Sequence, residues 1–440
     1  LSSQKKTPVR IGIVGIGTVG RGTLEVLTNN AQAIEQRLGR ALIVTRLGAR
    51  RDPEGLDLSA YQVDRDPMAV ARADDVDILV ETIGGLDTAR ELVLLALQHS
   101  KHVVTANKAL IAHYGEELLA CAAEHNVSLV FEASVAGGIP ILKALREGLA
   151  ANKIDWLAGI INGTSNYILS AMQDERKAFE PMLAEAQALG YAESDPTFDV
   201  DGIDAGHKLC IMASCAFGVP LQFDALAIEG IRKITLEDID FAQELGYKIK
   251  HLGIAKRTAH GIDLRVHPTL VPKANLLASV NGVMNSVLVH GHAVGSTFYT
   301  GAGAGSMPTA SSVVADIIDI ARGFGERHRQ CTPSLGFSEL KALPMCSLEQ
   351  SVSSFYLRMT LADELGALAS ISNALAKAGI SVEALLQKEP RKDKGHAIAT
   401  LIIITHEVTR GAVDQALKVL QEMAVIKSEI MVMRMEHFDN

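Results

Sequence analysis

Residues 9–30 read VRIGIVGIGTVGRGTLEVLTNN, and this stretch decides the fold. Val9 to Val14 form a nearly unbroken apolar run, the signature of a strand buried on both faces. The run passes into Gly15, Gly17 and Gly20, spaced GxGxxG, and Val19, Leu24 and Leu27 then offer one apolar face of a helix. Each glycine has its own reason. Gly15 permits the tight turn, Gly17 lets backbone approach a pyrophosphate, and Gly20 lets helix and strand pack closely. Free N–H groups and the dipole at the helix N-terminus favour an anion there. A tight strand–helix turn with no nucleotide is the bland alternative; the strand before and the helix after weigh against it at about nine to one.

The pattern continues downstream. ALIVTRLGAR, VDILVET, KHVVTAN and SLVFEAS read as short apolar strands, with DTARELVLLALQHS and ALIAHYGEELLACAAEHN as helices between them. This alternation predicts an α/β, doubly wound, mostly parallel sheet over residues 1–140, a Rossmann-like domain with ligands at the strand carboxyl ends. The second strand ends LGARRDP, so Arg50 and Arg51 precede Asp52. An acid there suits a ribose 2′-OH, whereas arginine holds a 2′-phosphate bidentately. NADPH is therefore expected to serve at least as well as NADH; the alternative is a pair of solvated arginines.

From residue 141 long helices mix with strand candidates, predicting an α+β catalytic and dimerisation domain over 141–325. Within it, GAGAGSMPTASSVVADIIDIARGF is a glycine loop feeding a helix near 307–324, expected to pack back on the first domain. Residues 326–352 lack periodicity and read as a linker. Residues 353–440 give β-α-β-β-α-β, the ferredoxin-like order, as a separate small domain.

The whole chain has 440 residues, room for about two to four domains. Net charge is −9, which argues against a nucleic-acid or anionic-membrane surface. Cys121, Cys210, Cys215, Cys331 and Cys346 show no metal or redox spacing and read as reduced thiols, pointing to a cytoplasmic protein. LSSQKKTP lacks the apolar core of a signal peptide, and no apolar run spans a bilayer. His290 and His292 in VHGH, on alternate residues of one strand face, lack a third metal ligand.

Two further stretches carry chemistry. TANKAL puts Asn107 and Lys108 at the carboxyl end of a strand, on the cofactor side. YAESDPTFDVDGIDAGHKLC, residues 191–210, gathers Glu193, Asp195, Asp199, Asp201 and Asp204 ahead of Lys208. A helix starting near Gly202 or Ile203 places Asp201, Asp204 and Lys208 on one face, with Asp204 and Lys208 able to pair. Hydride transfer to a carbonyl needs a proton donor for the nascent alkoxide, and carboxylates bind an ammonium. Nearby acids raise a lysine pKa, favouring a positioned acid over a free base. A calcium-like acidic loop or a capped helix start is an equal alternative from this stretch alone, though the acids do not follow the EF-hand spacing.

Taken together, AQALGYAESDPTFDVDGIDAGHK, TANKAL, FEASVAGGIPI and INGTSNYIL resemble homoserine dehydrogenase over nearly the whole chain, and the tail resembles an ACT domain. No aspartate-kinase portion is visible, so the likeness is to the monofunctional form. The resemblance implies NAD(P)-linked interconversion of L-homoserine and L-aspartate 4-semialdehyde, in threonine, methionine and isoleucine biosynthesis. It implies Lys208 as proton donor, with Lys108 on substrate or cofactor. Glu193 would bind the substrate amino group; Asp199, Asp204 and Thr164 would shape the pocket. Ile16, Thr18, Val19, Thr82 and Gly305 would join the glycines around the cofactor. It also implies a monovalent cation, usually sodium, held by Glu132 and the carbonyls of Val135, Gly137 and Ile139. Members of such a family are expected as homodimers or homotetramers.

In the tail, Gly366 lies at the turn where ACT domains bind effectors, with threonine the expected inhibitor; Leu365 stands where a proline is usual. Two other readings compete: another amino-acid or semialdehyde dehydrogenase on the same fold, and a non-catalytic NADPH or amino-acid sensor. Lys208 among its acids argues against the sensor.

Overall fold

A computed structural model of the chain describes residues 6–52, 55–324, 332–393 and 396–438. These fall into two compact units. One comprises the chain up to Gly163 with Asp204–Leu226 and Val283–Ala342; the other comprises Thr164–Ile203, Ala227–Gly282 and the chain from Leu343 onward.

The first unit is built on six strands: β1 (Val9–Val14), β2 (Leu42–Gly48), β3 (Gln62–Asp64), β4 (Ile78–Glu81), β5 (His102–Thr105) and β6 (Leu129–Val130). Their order is β3-β2-β1-β4-β5-β6, parallel throughout. Chain direction across the sheet reverses between β1 and β4, which opens a crevice above their carboxyl ends. The helices α1 (Thr18–Asn29), α2 (Ala31–Leu38), α3 (Pro67–Arg72), α4 (Asp87–Gln98) and α5 (Lys108–Glu124) supply the connections. The short elements β3, α2 and α3 escape sequence reading because they carry too few residues to establish a period. Local chemistry still fixes them: Asp66 caps α3 through Met68 N, with Pro67 in its first turn.

The helix Ser306–Gly323 belongs to this unit. Its Ala310, Val313, Ile317 and Ile320 share one core with Val9, Ile11, Leu24 and Leu27. A Cβ at Gly22 of α1 would lie 2.6 Å from the Ser306 carbonyl oxygen, so only glycine lets the two helices approach this closely. Strands Ile154–Ile160, Met284–Gly291 and Gly295–Ala302 form an antiparallel group in the same unit. His290 stacks on Trp156 at 5.3 Å, but His292 lies past the strand end, where its Nδ1 accepts from Lys153 N. The two histidines therefore do not share a strand face.

The expected helix PILKALREGLA is one α-turn, Ile141–Lys143, continued by a π-turn, Ala144–Gly148. Part of the expected linker, with Cys331, lies outside the described residues. The part beyond it is pinned: Ser334 Oγ donates to Leu129 O, Arg146 to Ser334 O, and Lys341 N to Gly218 O. Cys121, Cys210, Cys215 and Cys346 are free thiols. Among the described residues no helix is long and apolar enough to cross a membrane.

In the second unit, Tyr247–Thr258 and Gly261–Pro272 form a long antiparallel ribbon. The tail has the expected βαββαβ order, with strands Val352–Ala362, Val382–Gln387, His396–Thr405 and Met431–Met435 and helices Ala367–Lys377 and Arg410–Gln421. It does not stand apart, however. Met431–Met435 pairs in parallel with Gly261–Pro272 at Thr269 and Leu270. The reason is the sheet's two apolar faces. Phe355, Leu357 and Met359 bury against the tail's own helices. Tyr356, Ile402, Ile404, Met433 and Met435 bury against Ile168, Phe179, Ile239 and Leu270 from the middle of the chain. A four-stranded sheet with helices on one side must cover the other.

Candidate functional site

The glycine turn after β1 opens on a cleft of about 630 Å³ lined by Gly15, Ile16, Gly17, Arg50, Arg51, Thr82, Gly84 and Gly85, among others. Gly15 has φ 95°, and a Cβ on it would meet the Thr82 carbonyl oxygen at 2.6 Å. A Cβ on Gly20 would sit 2.0 Å from the Gly15 carbonyl oxygen, whereas one on Gly17 would meet nothing within 4 Å. The strained turn at Gly15 and the close packing at Gly20 are thus visible in the protein, and the space beside Gly17 is open. Thr82 Oγ donates to the Gly15 carbonyl at 2.6 Å. Thr18 and Val19 form the first turn of α1, and Thr18 O accepts from Ser306 Oγ. Gly305, at φ 117°, is the N-cap of Ser306–Gly323.

Asp52 is paired: Arg65 binds its carboxylate at 2.7 Å and also donates to Ala49 O. Arg50 and Arg51 are exposed at the mouth of the cleft. Arg65 carried no sequence signal, since it lies outside every motif.

Glu81, at the end of β4, is fully buried. Its carboxylate accepts from Ile83 N at 2.8 Å, Gly84 N at 3.1 Å and Thr105 Oγ at 2.5 Å. Burial raises its pKa against those hydrogen bonds. Thr105 Oγ accepts from Asn107 N, and Asn107 Nδ2 donates to Gly85 O at 2.7 Å. The Asn107 side chain caps α5 through Leu110 N. Lys108 is thus the first residue of a capped helix, tied to a turn that lines the cleft.

Lys108 and Lys208 converge on one carboxylate. Asp204 Oδ2 accepts from Lys208 Nζ at 2.6 Å and from Asn162 Nδ2 at 2.9 Å; Asp204 Oδ1 lies 3.1 Å from Lys108 Nζ. Lys208 Nζ also donates to Ile161 O at 2.8 Å. Asp204 and Lys208 are buried on helix Ile203–Phe217, while the Lys108 side chain is 38% exposed. Burial would raise the Asp204 carboxyl, but the two ammonium groups and the Lys208 and Asn162 hydrogen bonds outweigh it, holding it well below the usual range. Asp201 does not join them; it pairs with Arg232 at 2.6 Å. Asn162 lies inside the quoted segment INGTSNYIL but was given no role there. His207 is also buried; its Nε2 meets His113 Nε2 at 3.0 Å, and burial with the neighbouring His113 lowers it to about 4, so it is neutral.

Asp204→Asn tests the electrostatics of this centre. Removing one partner of a buried ion pair costs about 3–5 kcal/mol at neutral pH. Because the folded Asp204 pKa lies below the unfolded value, its contribution is complete above about pH 4 and is lost as pH falls further. Urea unfolding should therefore show a stability gap between wild type and variant at pH 7 that narrows in acid; a gap independent of pH would exclude an ionised Asp204.

The predicted substrate-pocket residues Thr164, Glu193 and Asp199 lie in the second unit. Thr164 Oγ donates to Tyr191 O at 2.6 Å, and Asp199, half-buried, accepts from Ser165 Oγ through its carbonyl. Glu193 is exposed, and its carbonyl accepts from Gln187.

Glu132 is buried, and its carboxylate accepts from Leu142 N and Lys143 N. Burial, then Asp316, pushes it up to about 7. Ala136 and Gly137 both have positive φ, 54° and 55°, in the turn carrying the Val135, Gly137 and Ile139 carbonyls. Gly137 O accepts from Ser312 Oγ and Ile139 O from Ile141 N. A buried carboxylate with turn carbonyls is an all-oxygen donor set, suited to a hard cation rather than zinc. Among the described residues no group of three or more His, Cys, Asp or Glu could hold a metal.

A dinucleotide crevice whose neighbouring helix brings a lysine to a buried carboxylate suits one class of protein: an oxidoreductase working with a nicotinamide cofactor. Known proteins give the particular family. Residues 15–132 match "Homoserine dehydrogenase, NAD binding domain", 140–318 match "Homoserine dehydrogenase", and 355–424 match "ACT domain". The chain is 50% identical to the homoserine dehydrogenase of Pseudomonas aeruginosa, over 98% of this chain and all of that one. A homoserine dehydrogenase structure from Thiobacillus denitrificans has TM-score 0.94 at 47% identity, covering 98% and 99% of the two chains. A hyperthermophilic archaeal homoserine dehydrogenase in complex with NADPH has TM-score 0.61 at 28% identity, covering 76% of this chain and all of that one. The chain belongs to the homoserine dehydrogenase family.

Proposed function

We propose that the chain reduces L-aspartate 4-semialdehyde reversibly to L-homoserine, with Lys208 as the proton donor and NADPH used at least as well as NADH. The observation that carries this reading is the Asp204 carboxylate between Lys108 and Lys208. The bound nicotinamide supplies or accepts the hydride. Asp204 keeps Lys208 charged and oriented, and Ile161 O fixes the Nζ position. Lys208, directly or through an ordered water, then protonates the oxygen as it becomes an alkoxide. Lys108 holds the substrate from the other side of Asp204. Glu193 and Asp199 would attract the substrate ammonium, with Thr164 beside them.

Arg50 and Arg51 would take a 2′-phosphate, helped by the Arg65 grip on Asp52. Absorbance at 340 nm with homoserine and NADP or NAD tests both the activity and the preference. Arg50→Glu should shift the NADPH/NADH ratio of kcat/KM toward NADH by about tenfold or more, the worth of a charge-assisted phosphate contact; an unchanged ratio removes Arg50 from the cofactor site.

Glu132 with the carbonyls of Val135, Gly137 and Ile139 would hold a monovalent cation, Na+ by its oxygen preference, and a bound cation would relieve the buried Glu132 charge. Gly366, at φ 87°, caps Ala367–Lys377 beside a fully exposed Leu365; this turn is where threonine would bind as a feedback inhibitor. The same assay with and without threonine reads that regulation. The working assembly is a homodimer or homotetramer in the cytoplasm.

A further inference from the structure

Glu81 poses a question that the reaction does not answer. It is fully buried, and the donors to its carboxylate are uncharged: Ile83 N, Gly84 N and Thr105 Oγ. Among the described residues no cation pairs with it; a buried carboxylate so placed is costly, and an apolar side chain would pack at the end of a buried strand with less penalty. What the carboxylate does instead is close a ring of hydrogen bonds. From Glu81 the ring runs through Gly84 N to the 83–85 turn. It continues from Gly85 O to Asn107 Nδ2, from Asn107 N to Thr105 Oγ, and back to Glu81. One side of the ring, Ile83 to Gly85, lines the dinucleotide cleft. The other side, Asn107, caps the helix that begins with Lys108, and Lys108 reaches Asp204. Moving the 83–85 turn therefore moves the acceptor of Asn107, and with it the first turn of α5.

We propose that Glu81 is a positioning residue that couples occupancy of the cofactor cleft to the placement of Lys108, so that cofactor and the small amino-acid substrate bind cooperatively. The proposal rests on Lys108 contacting the substrate, as argued above. A carboxylate suits the task because it accepts from two backbone N–H groups and a hydroxyl at once, drawing two loops onto one rigid strand end. Coupling of this kind is a free energy shared by two sites and is reciprocal. A merely structural Glu81 would leave it unchanged, because loosening both sites weakens each ligand without altering their ratio.

The experiment uses the full-length enzyme and the dead-end pair NADPH and L-homoserine, which cannot react. Calorimetry measures the homoserine Kd with and without saturating NADPH. In the wild type NADPH should tighten homoserine binding by a factor on the order of 5–150. Thr105→Val, which removes the hydroxyl link and keeps the backbone contacts of Glu81, should bring that factor toward one, as should Glu81→Ala. Glu81→Gln, which keeps the shape and the N–H acceptor, should retain most of it. A wild-type factor of one overturns the proposal, as does a folded Thr105→Val enzyme that keeps the full factor. Lys108→Met separates the two readings. If it weakens homoserine binding in the presence of NADPH while Thr105→Val keeps the factor, the Glu81 proposal alone fails. If it leaves homoserine binding unchanged, the Lys108 reading fails and the proposal with it.

Discussion

Lys208→Ala is expected to lower kcat by about 10²–10⁴-fold, the usual contribution of a positioned general acid. NADPH affinity, read by fluorescence titration, should change little, because Nζ is held by Asp204 and Ile161 O. The variant also leaves Asp204 with Lys108 and Asn162 as partners, so the carboxylate is not stranded. That makes the experiment clean: a fall in kcat reflects lost chemistry and not a collapsed site. Lys208→Arg is informative beside it. The guanidinium keeps the charge, but its fork does not reproduce the compact ammonium between Asp204 and Ile161 O, so kcat should remain low. A near-normal kcat in Lys208→Ala removes Lys208 from proton donation and leaves Lys108 as the remaining candidate.

The second large effect falls on the cofactor. Gly20→Ala adds one methyl group, yet its Cβ would lie 2.0 Å from the Gly15 carbonyl oxygen. No rotamer relieves this, since the Cβ position is set by the backbone and the oxygen it meets is itself backbone. Gly15 cannot retreat either. Its carbonyl accepts from Thr82 Oγ, and its own Cα faces the Thr82 carbonyl. The clash must open the turn between β1 and α1, at a cost of about 1–3 kcal/mol or more. The turn is also where the N–H groups of α1 would meet the pyrophosphate. NADPH affinity should therefore drop by about tenfold or more, at 1.4 kcal/mol per decade, with a lower Tm. Gly17→Ala is the internal control, because its Cβ meets nothing in the protein. It should keep its Tm and lose affinity through contact with the ligand alone. Equal losses of Tm in the two variants would mean that the glycines do not divide the work as their spacing suggests.

Much of the first unit could be read from the chain because its signals are local. A strand, a glycine turn and a helix lie consecutively in residues 9–30, and the packing of Gly20 on Gly15 is a contact five residues apart. The pair Asp204–Lys208 was legible for the same reason, being an i,i+4 contact on one helix. Asp201 was misjudged because its partner, Arg232, is 31 residues away and outweighs the helical spacing. Glu81 and Arg65 gave no signal, and Asn162 lay in a quoted segment without a role: each acts through residues brought near by the sheet or by the return of the chain. The tail's βαββαβ order was readable from periodicity, but its dependence on the middle of the chain was not, since apolar residues on both strand faces do not say what covers the second face.

By itself, then, the sequence determined the parallel nucleotide sheet, the glycine turn, the lysine-bearing helix start and the family resemblance, all of which depend on neighbours along the chain. Only the tertiary structure decided that Lys108 and Lys208 share Asp204, and that the Glu81 carboxylate joins the 83–85 turn to Thr105. It also decided that the tail shares a core with the preceding segments. The physical reason is that a buried charge or an apolar face is stable only with a partner, and here the partners come from residues far apart in sequence.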